Sequence, residues 1–491
     1  MEAEVAEAVT SVGWNGESGR VPVPPPPSPR RFRYLSLYLY RVIAAELSRF
    51  TRYFDRLVQW EPAPHDPLVL FDAIDCQKKS VAYTLDDVPD FSCDREQRAA
   101  VLLNGNFNYD LDIQATLARL KPKLSRTSRV VVIAYNPYLR WLYSFADVLG
   151  LRSSPAVKTF LTRTDLEGVA RLSGYEVVRL RPAGYWPFAL LGLGRLLNWW
   201  LPVVPGLRWM SFVVIAVLRS LTREARRPSV SIVIPARNEK GNVEHALRRM
   251  PDLGAERMEI VFVEGHSRDD TWAEILRAAD LYRRRFEIKT LQQTGKGKCD
   301  AVRLGFQHCT GEVLMVLDAD LTMPPELLGR FYDAYCQGLA DFVNGSRLLY
   351  PMEGEAMRFL NHLGNVFFAK ALSFVLGNRL SDSLCGTKLV ARHDYARFVA
   401  WRHDFGDFDP FGDYELLFPA SIFALGIVDV PIRYRARTYG VTNINRFHHG
   451  WMLLKMTLSG LFRVRVGPWR VSAGTHRHPR SVRSEWTDPV R

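Results

Sequence analysis

The chain has 491 residues, 47% hydrophobic and 24% charged, a globular balance that excludes a wholly disordered, collagen-like or coiled-coil protein. At roughly 100–200 residues per domain, this length implies two or three folded units. Lys and Arg number 65 against 52 Asp and Glu, a net +13; the sign favours anionic partners, with nucleic acid, an acidic membrane face and a phosphorylated substrate all compatible.

Residues 1–30 are small, acidic and proline-rich through Pro24 to Pro27, which predicts a disordered tail. They lack the basic-then-apolar order of a secretory signal. A first unit follows over 31–222. Its predicted elements include a strand Val101-Leu102-Leu103 before Asn104, a helix Ile113 to Leu120, a strand Arg129 to Tyr135 before Asn136-Pro137-Tyr138, and the run Leu172 to Val178. The apolar stretch Trp186 to Leu218 is broken by Arg195, Pro202, Pro205 and Arg208. Its pieces fall short of the ~20 residues that span a bilayer, so no transmembrane helix is expected. The charged segment Thr222 to Pro228 marks the domain boundary. Six cysteines, with no CxxC pair, predict neither a zinc site nor a disulfide scaffold and suit a reducing compartment.

From Ser229 short β-branched runs alternate with amphipathic helices. Val230 to Pro235, Glu259 to Glu264, Phe286 to Leu291 and Glu312 to Leu317 read as buried strands, and Asp269 to Arg285 as a helix facing Trp272, Ile275, Ala279 and Tyr282 inward. Such alternation predicts an α/β unit with a mainly parallel sheet covered by helices. Ligands of open sheets sit beyond the carboxyl ends of the strands. Those positions here are polar: Pro235-Ala236-Arg237-Asn238-Glu239 after the first strand, and Glu264-Gly265-His266-Ser267-Arg268-Asp269 after the second. A carboxylate or amide there could pair with a nucleotide's base or ribose. Helix capping by Ser267 or Asp269 is the competing reading. After the fourth strand, Asp318 and Asp320 place two hard oxygen ligands at i and i+2, a pattern suited to Mg²⁺ or Mn²⁺ on a diphosphate, although a solvated turn before Pro324-Pro325 has the same sequence. Gly295-Lys296-Gly297-Lys298 lacks P-loop spacing, and Cys299 stands where the hydroxyl would be.

Taken together, IPARNE (234–239), SRDDT (267–271), GKGK (295–298), LDADLTMPPE (317–326), Gly345-Ser346-Arg347, SDSLCGTK (381–388) and the Val430 to Gly440 segment resemble family 2 glycosyltransferases of the GT-A fold. The closest resemblance is to polyprenol-phosphate (dolichol-phosphate) mannosyl- and glucosyltransferases. It implies a nucleotide-sugar donor bound by Pro235, Ala236, Arg237, Asn238, Glu239, Glu264, Ser267, Asp269, Lys298, Asp318, Arg347, Asp382 and Arg437. It further implies a Mg²⁺ or Mn²⁺ held by Asp318 and Asp320, and a catalytic base at Asp413, with Glu415 second. The competing reading of Asp413 is a helix N-terminal carboxylate answering the macrodipole. A phosphate acceptor is already ionised and would leave Asp413 an orienting role. Glu264 is followed by Gly265 where the family often pairs aspartates, so UDP and GDP donors are not separated.

The first unit resembles, over 101–220, the latter part of a class I methyltransferase, a truncated Rossmann-like α/β domain. No glycine occurs between Arg20 and Asn104, whereas a cofactor-binding half needs a glycine turn after its first strand. A degenerate, non-catalytic domain without a functional S-adenosylmethionine site is therefore expected.

After the glycosyltransferase-like unit (229–440), residues 441–467 are predicted to form an amphipathic helix with Phe447, Trp451, Leu454, Leu458 and Leu461 on one face, packed on the core or lying in a membrane interface. Met357 to Leu376 is a second apolar helix, and 468–491 a basic disordered tail. The resulting expectation is an inverting, metal-dependent enzyme. It would move a hexose from a GDP-mannose- or UDP-glucose-type donor to a polyprenyl phosphate or other lipid-associated or cell-envelope acceptor, in the cytoplasm or peripherally on the cytoplasmic membrane face, without nucleic acid. A bifunctional methyl- and glycosyltransferase, and a non-catalytic basic adaptor, are the alternatives. The glycine deficit argues against the first and the acids after successive strands against the second.

Overall fold

The computed structural model describes residues 30–62, 68–94, 96–149, 157–204, 206–350, 359–405, 412–437, 439 and 446–466. The two predicted tails lie outside these residues, Arg30 excepted. The first part of the chain runs α1 (Arg30–Thr51), β1 (Arg56–Trp60), β2 (Lys78–Ala82), β3 (Ala99–Asn104), α2 (Ile113–Leu120), β4 (Arg129–Tyr135), α3 (Arg140–Val148), α4 (Arg163–Leu172), β5 (Tyr175–Ala183), α5 (Leu193–Trp200) and β6 (Val213–Ser220). Its six strands are ordered β2-β1-β3-β4-β6-β5. β2, β1, β3 and β4 pair in parallel, and β6 runs antiparallel between β4 and β5. β3 and β4 are apolar almost without interruption because core lies on both faces of this sheet.

The second part runs β7 (Val230–Ala236), α6 (Lys240–Arg248), β8 (Met258–Glu264), α7 (Thr271–Tyr282), β9 (Glu287–Gln292), α8 (Lys298–His308), β10 (Val313–Val316), α9 (Leu328–Cys336), β11 (Phe342–Ser346), α10 (Phe359–Leu376), β12 (Lys388–Ala391), α11 (Arg392–Phe405), α12 (Asp413–Ile422), β13 (Ile427–Pro431) and α13 (Arg446–Gly460). The strand order is β13-β11-β12-β10-β7-β8-β9. β10, β7, β8 and β9 are parallel, and β12 runs against both β10 and β11. The chain is thus mixed α/β with mainly parallel sheets, and the strands anticipated at 230, 259, 286 and 312 form within a residue or two of those limits.

The two sheets meet through the starts of their parallel strands. Arg98 (before β3), Arg129 (start of β4) and Arg219 (end of antiparallel β6) are each 1% exposed and reach across to the segments that open β11 and β13 and to the first turn of α11. Arg129 donates to Asp341 at 2.7 Å and to the Ala424 carbonyl at 2.7 Å. Arg219 reaches Asp341 at 3.4 Å, and Arg98 donates to Asp394 at 3.3 Å and to the Phe423 carbonyl at 2.7 Å. Gly426 lets Arg219 lie against the backbone, since a Cβ there would stand 2.2 Å from its Nε. The carboxyl crest of the second sheet therefore faces away from this junction.

The apolar stripe expected on the last helix does not pack on the core as a unit. α13 buries Leu453, Met456 and Thr457, whereas Trp451 and Leu458 of the predicted apolar stripe are exposed. Its inward side includes Gly460, which approaches Phe418 so closely that a Cβ there would stand 2.3 Å from the ring.

Candidate active site

Three non-glycine residues with left-handed backbone mark the crest: Asn238 (φ 56°) after β7, His266 (φ 56°) after β8 and Leu321 (φ 52°) after β10. Side chains other than glycine seldom hold this region, and such strain persists where surrounding contacts over-determine it. At β7 the contacts are explicit. The Asn238 N–H donates to Ser267 Oγ at 2.9 Å, the Arg268 N–H donates to Asn238 Oδ1 at 2.7 Å, and the Glu239 N–H donates to Thr271 Oγ1 at 2.9 Å. Glu264 accepts from the Ser267 N–H at 2.5 Å. The N-cap position of α7 is Asp270, without a side-chain cap bond, rather than Ser267 or Asp269; Asp269 accepts from the Thr271 N–H at 3.1 Å. Its other oxygen accepts from the Tyr439 hydroxyl at 3.3 Å. Pro235 and Ala236 are the last residues of β7, and Arg237 is exposed.

Asp318 and Asp320 lie at the crest after β10, and each meets a cation. Lys298, opening α8, pairs with Asp318. Burial works against the Lys298 ammonium, but Asp318 and Asp413 outweigh it and hold its pKa above the ordinary value. Asp318 is correspondingly held low, with Lys298 overcoming the effect of burial. Asp320 accepts from the Thr322 N–H at 3.1 Å and from Arg437 at 2.6 Å. Arg437 also reaches Glu239 at 3.2 Å, so a residue far along the chain bridges the crests of β7 and β10. The segment bearing it is tied down by the Arg435 N–H, which donates to the Thr322 carbonyl at 2.9 Å. Burial pushes the Glu239 carboxyl up to about 7, against the opposing effects of Asn242 and Arg437.

The remaining anticipated residues form a layer behind these. Arg347 donates two bonds to Asp382, at 2.7 and 2.9 Å, and its guanidinium lies over Tyr434. The two are thus each other's partners. Asp413, buried at the start of α12, accepts from Lys388 at 2.7 Å. Glu415, the second candidate, lies in the first turn of α12. It is buried among Arg303 (2.9 Å), Arg402 (3.1 Å) and the Cys299 thiol (3.0 Å). Sequence reasoning assigned no role to Lys388, Arg303 or Arg402, because their partners are distant in the chain. Gly386 marks a further close approach: a Cβ there would stand 2.2 Å from both Asp318 Oδ2 and Lys298 Nζ. Gly386→Ala is expected to push these flexible ends apart at a stability cost of about 1–3 kcal/mol while weakening ligand binding at the crest; urea unfolding and ligand titration of the same samples would separate the two effects.

Residues 231–397 match the family model described as Glycosyl transferase family 2. A dolichyl-phosphate hexose transferase of Haloferax volcanii is 28% identical over 221 residues, 45% of this chain and 89% of that protein. A dolichol-phosphate mannosyltransferase of Pyrococcus furiosus is 36% identical over 136 residues, 27% of this chain and 37% of that protein. An undecaprenyl-phosphate 4-deoxy-4-formamido-L-arabinose transferase of Edwardsiella ictaluri is 28% identical over 216 residues, 43% of this chain and 61% of that protein. The chain therefore spans between about a third and three fifths of the length of the last two. The crest from Glu239 to Asp320 lies inside the matched segment, and residues 231–397 are a family 2 glycosyl transferase domain.

Proposed function

We propose that the protein is an inverting, metal-dependent glycosyltransferase that moves a hexose from a nucleotide sugar, of the GDP-mannose or UDP-glucose type, onto a polyprenyl phosphate. The observation that carries this reading is the meeting of Asp318, Asp320 and Glu239 with Lys298 and Arg437 at one sheet crest, in a domain whose relatives are named as polyprenyl-phosphate transferases.

A divalent cation suits the donor set. Asp318 and Asp320 offer hard carboxylate oxygens on side chains 28% and 14% exposed. Among the described residues no group of three His, Cys, Asp or Glu could hold a metal. Mg²⁺ or Mn²⁺ held by one or two carboxylates and otherwise by water and substrate phosphate needs no larger cage. Bound there, it would supply positive charge to the departing diphosphate. Lys298 and Arg437 add fixed cations at the same crest, which favour the charge that develops in the transition state over the ground state. In a single displacement the acceptor oxygen bonds to the anomeric carbon as the bond to the diphosphate breaks.

Acceptor chemistry follows from the layer behind. Asp413 is paired with Lys388 and Glu415 with Arg303 and Arg402, so both carboxylates already face a cation of this chain. A phosphate acceptor is already ionised and requires no base, which supports the lipid phosphate over a sugar hydroxyl. Asp413 and Arg347 are then positioning residues. The N-terminal sheet is read as a degenerate methyltransferase-like unit with a packing role. Its crest between β1 and β3 is bridged by Asn106, which donates to the Glu61 carbonyl at 3.0 Å.

Thermal unfolding in the presence of UDP- and GDP-sugars with Mn²⁺ tests the donor. The matching nucleotide at a hundred times its Kd should stabilise the protein by about 2.7 kcal/mol. Transfer of labelled sugar to polyprenyl phosphate, with dephosphorylated polyprenol inert, tests the acceptor. No stabilisation by either nucleotide class would overturn the reading.

A further inference from the structure

A second surface is not used by the crest chemistry. β5 and β6 are joined by residues 184–212, which leave Phe188, Leu190, Leu191, Leu193, Trp200 and Leu207 exposed. Leu190 and Leu191 hold left-handed backbone, φ 38° and 50°, a conformation in which glycine is the usual occupant. Trp141 and Phe145 of α3 are also exposed. α3 is fastened to this excursion by the Tyr143 hydroxyl, which donates to the Phe212 carbonyl, while Asn136 donates to the Trp209 carbonyl at 2.6 Å. Scattered exposed hydrophobics are ordinary, but a concentration of this kind marks an interaction site.

Charge indicates what covers it. Between Val177 and Arg223 the chain contains no Asp or Glu; Arg179, Arg181 and Arg219 of the strands are buried, and Arg195 stands exposed within the excursion itself. α10 and α13 also lack acidic residues, and they expose Leu363, Phe367, Trp451 and Leu458. The start of the excursion lies near the end of α13. Arg181 of β5 and Arg49 of α1 donate to the Val464 carbonyl, just beyond α13, at 2.8 and 3.4 Å. The excursion starts at residue 184, about 10 Å further along at ~3.3 Å per strand residue. Among the described residues no helix is long and apolar enough to cross a membrane. Exposed leucine and tryptophan beside an exposed arginine, in a segment without carboxylates, are the composition of a segment that lies in the interface of an anionic bilayer.

We propose that residues 184–212, together with the exposed ends of α3, dock the protein on an anionic lipid surface continuous with the outer face of α10 and α13. The docking does not rest on the sugar-transfer reading, since it is measured without donor or metal. Flotation of the full chain with vesicles of phosphatidylcholine, alone or with phosphatidylglycerol, is the test. The protein should float with the anionic vesicles, and more weakly as salt rises. Leu191→Glu combined with Trp200→Glu should reduce the bound fraction at least about tenfold, whereas Leu281→Glu, on the exposed side of α7, should leave it unchanged. Matching circular dichroism would show that the double variant is folded. If that variant fails to fold, quenching of tryptophan emission in the unaltered protein by brominated lipid, diminished in Trp200→Phe, gives the same reading. Absence of flotation, a double variant that floats as well as the parent, or a parent dimer dissociated by the double variant would each overturn the proposal, the last by assigning the surface to a second copy.

Discussion

Asp341→Asn is expected to destabilise the protein by about 3–5 kcal/mol, the usual cost of leaving buried charges without their counter-ion. The carboxylate lies among three arginines of the first sheet, Arg126 (3.2 Å), Arg129 (2.7 Å) and Arg219 (3.4 Å), and also accepts from the Gly426 N–H at 3.0 Å. Arg126 and Arg219 retain Glu224 and Glu176 in the variant, whereas the Arg129 contact with Asp341 is lost at a position 1% exposed. Burial pushes the Asp341 carboxyl up, but Arg219, Arg129 and Arg126 outweigh it and hold it far below its ordinary 3.8. A folded-state pKa below the unfolded one means that the unfolded chain binds the proton first as pH falls. The contribution is therefore complete above the unfolded value of 3.8 and is lost as pH drops below it. Urea unfolding between neutral pH and pH 3 should show parent and variant converging in acid. Part of the acid slope should survive in the variant, because Glu46 and Asp382 are also held low by their arginines against burial. A parallel offset at every pH would contradict the assignment.

Asp320→Ala is expected to lower kcat/KM for sugar transfer by about 10²–10³, the size of effect found when one preorganised electrostatic group is removed from a transition state. The fold should survive, because Asp320 is partly accessible and lies in a turn beyond β10. Two roles are separable by comparison with Arg437→Ala. If Asp320 served merely to anchor Arg437, the two variants would be equally impaired and donor binding by Asp320→Ala would keep its response to Mn²⁺. If the carboxylate acts on a bound cation, Asp320→Ala loses that response and Arg437→Ala retains it. Thermal shift with donor, with and without Mn²⁺, reads this independently of turnover.

The strands of the glycosyl transferase domain were legible because each is a short apolar run whose end is punctuated by polar residues, and burial on both faces demands that pattern within a few residues of sequence. Glu239, Asp269, Asp318 and Asp320 were legible for the same local reason: open parallel sheets place the residues following their strands at one crest. α13 was legible as a helix but not in its orientation, since both of its faces carry large apolar side chains and the partner surface chose between them. The partners of the charged groups were not legible. Lys298 with Asp318, Lys388 with Asp413, Arg437 with Asp320 and the three arginines on Asp341 are joined across 20, 25, 117 and up to 215 residues. Local sequence thus determined which chemical groups stand at the end of each strand, because backbone periodicity is a short-range property. Tertiary structure alone decided which charge meets which, and which apolar faces stay outside, because a buried ion must find its counter-ion wherever the packed chain brings one within a few ångströms.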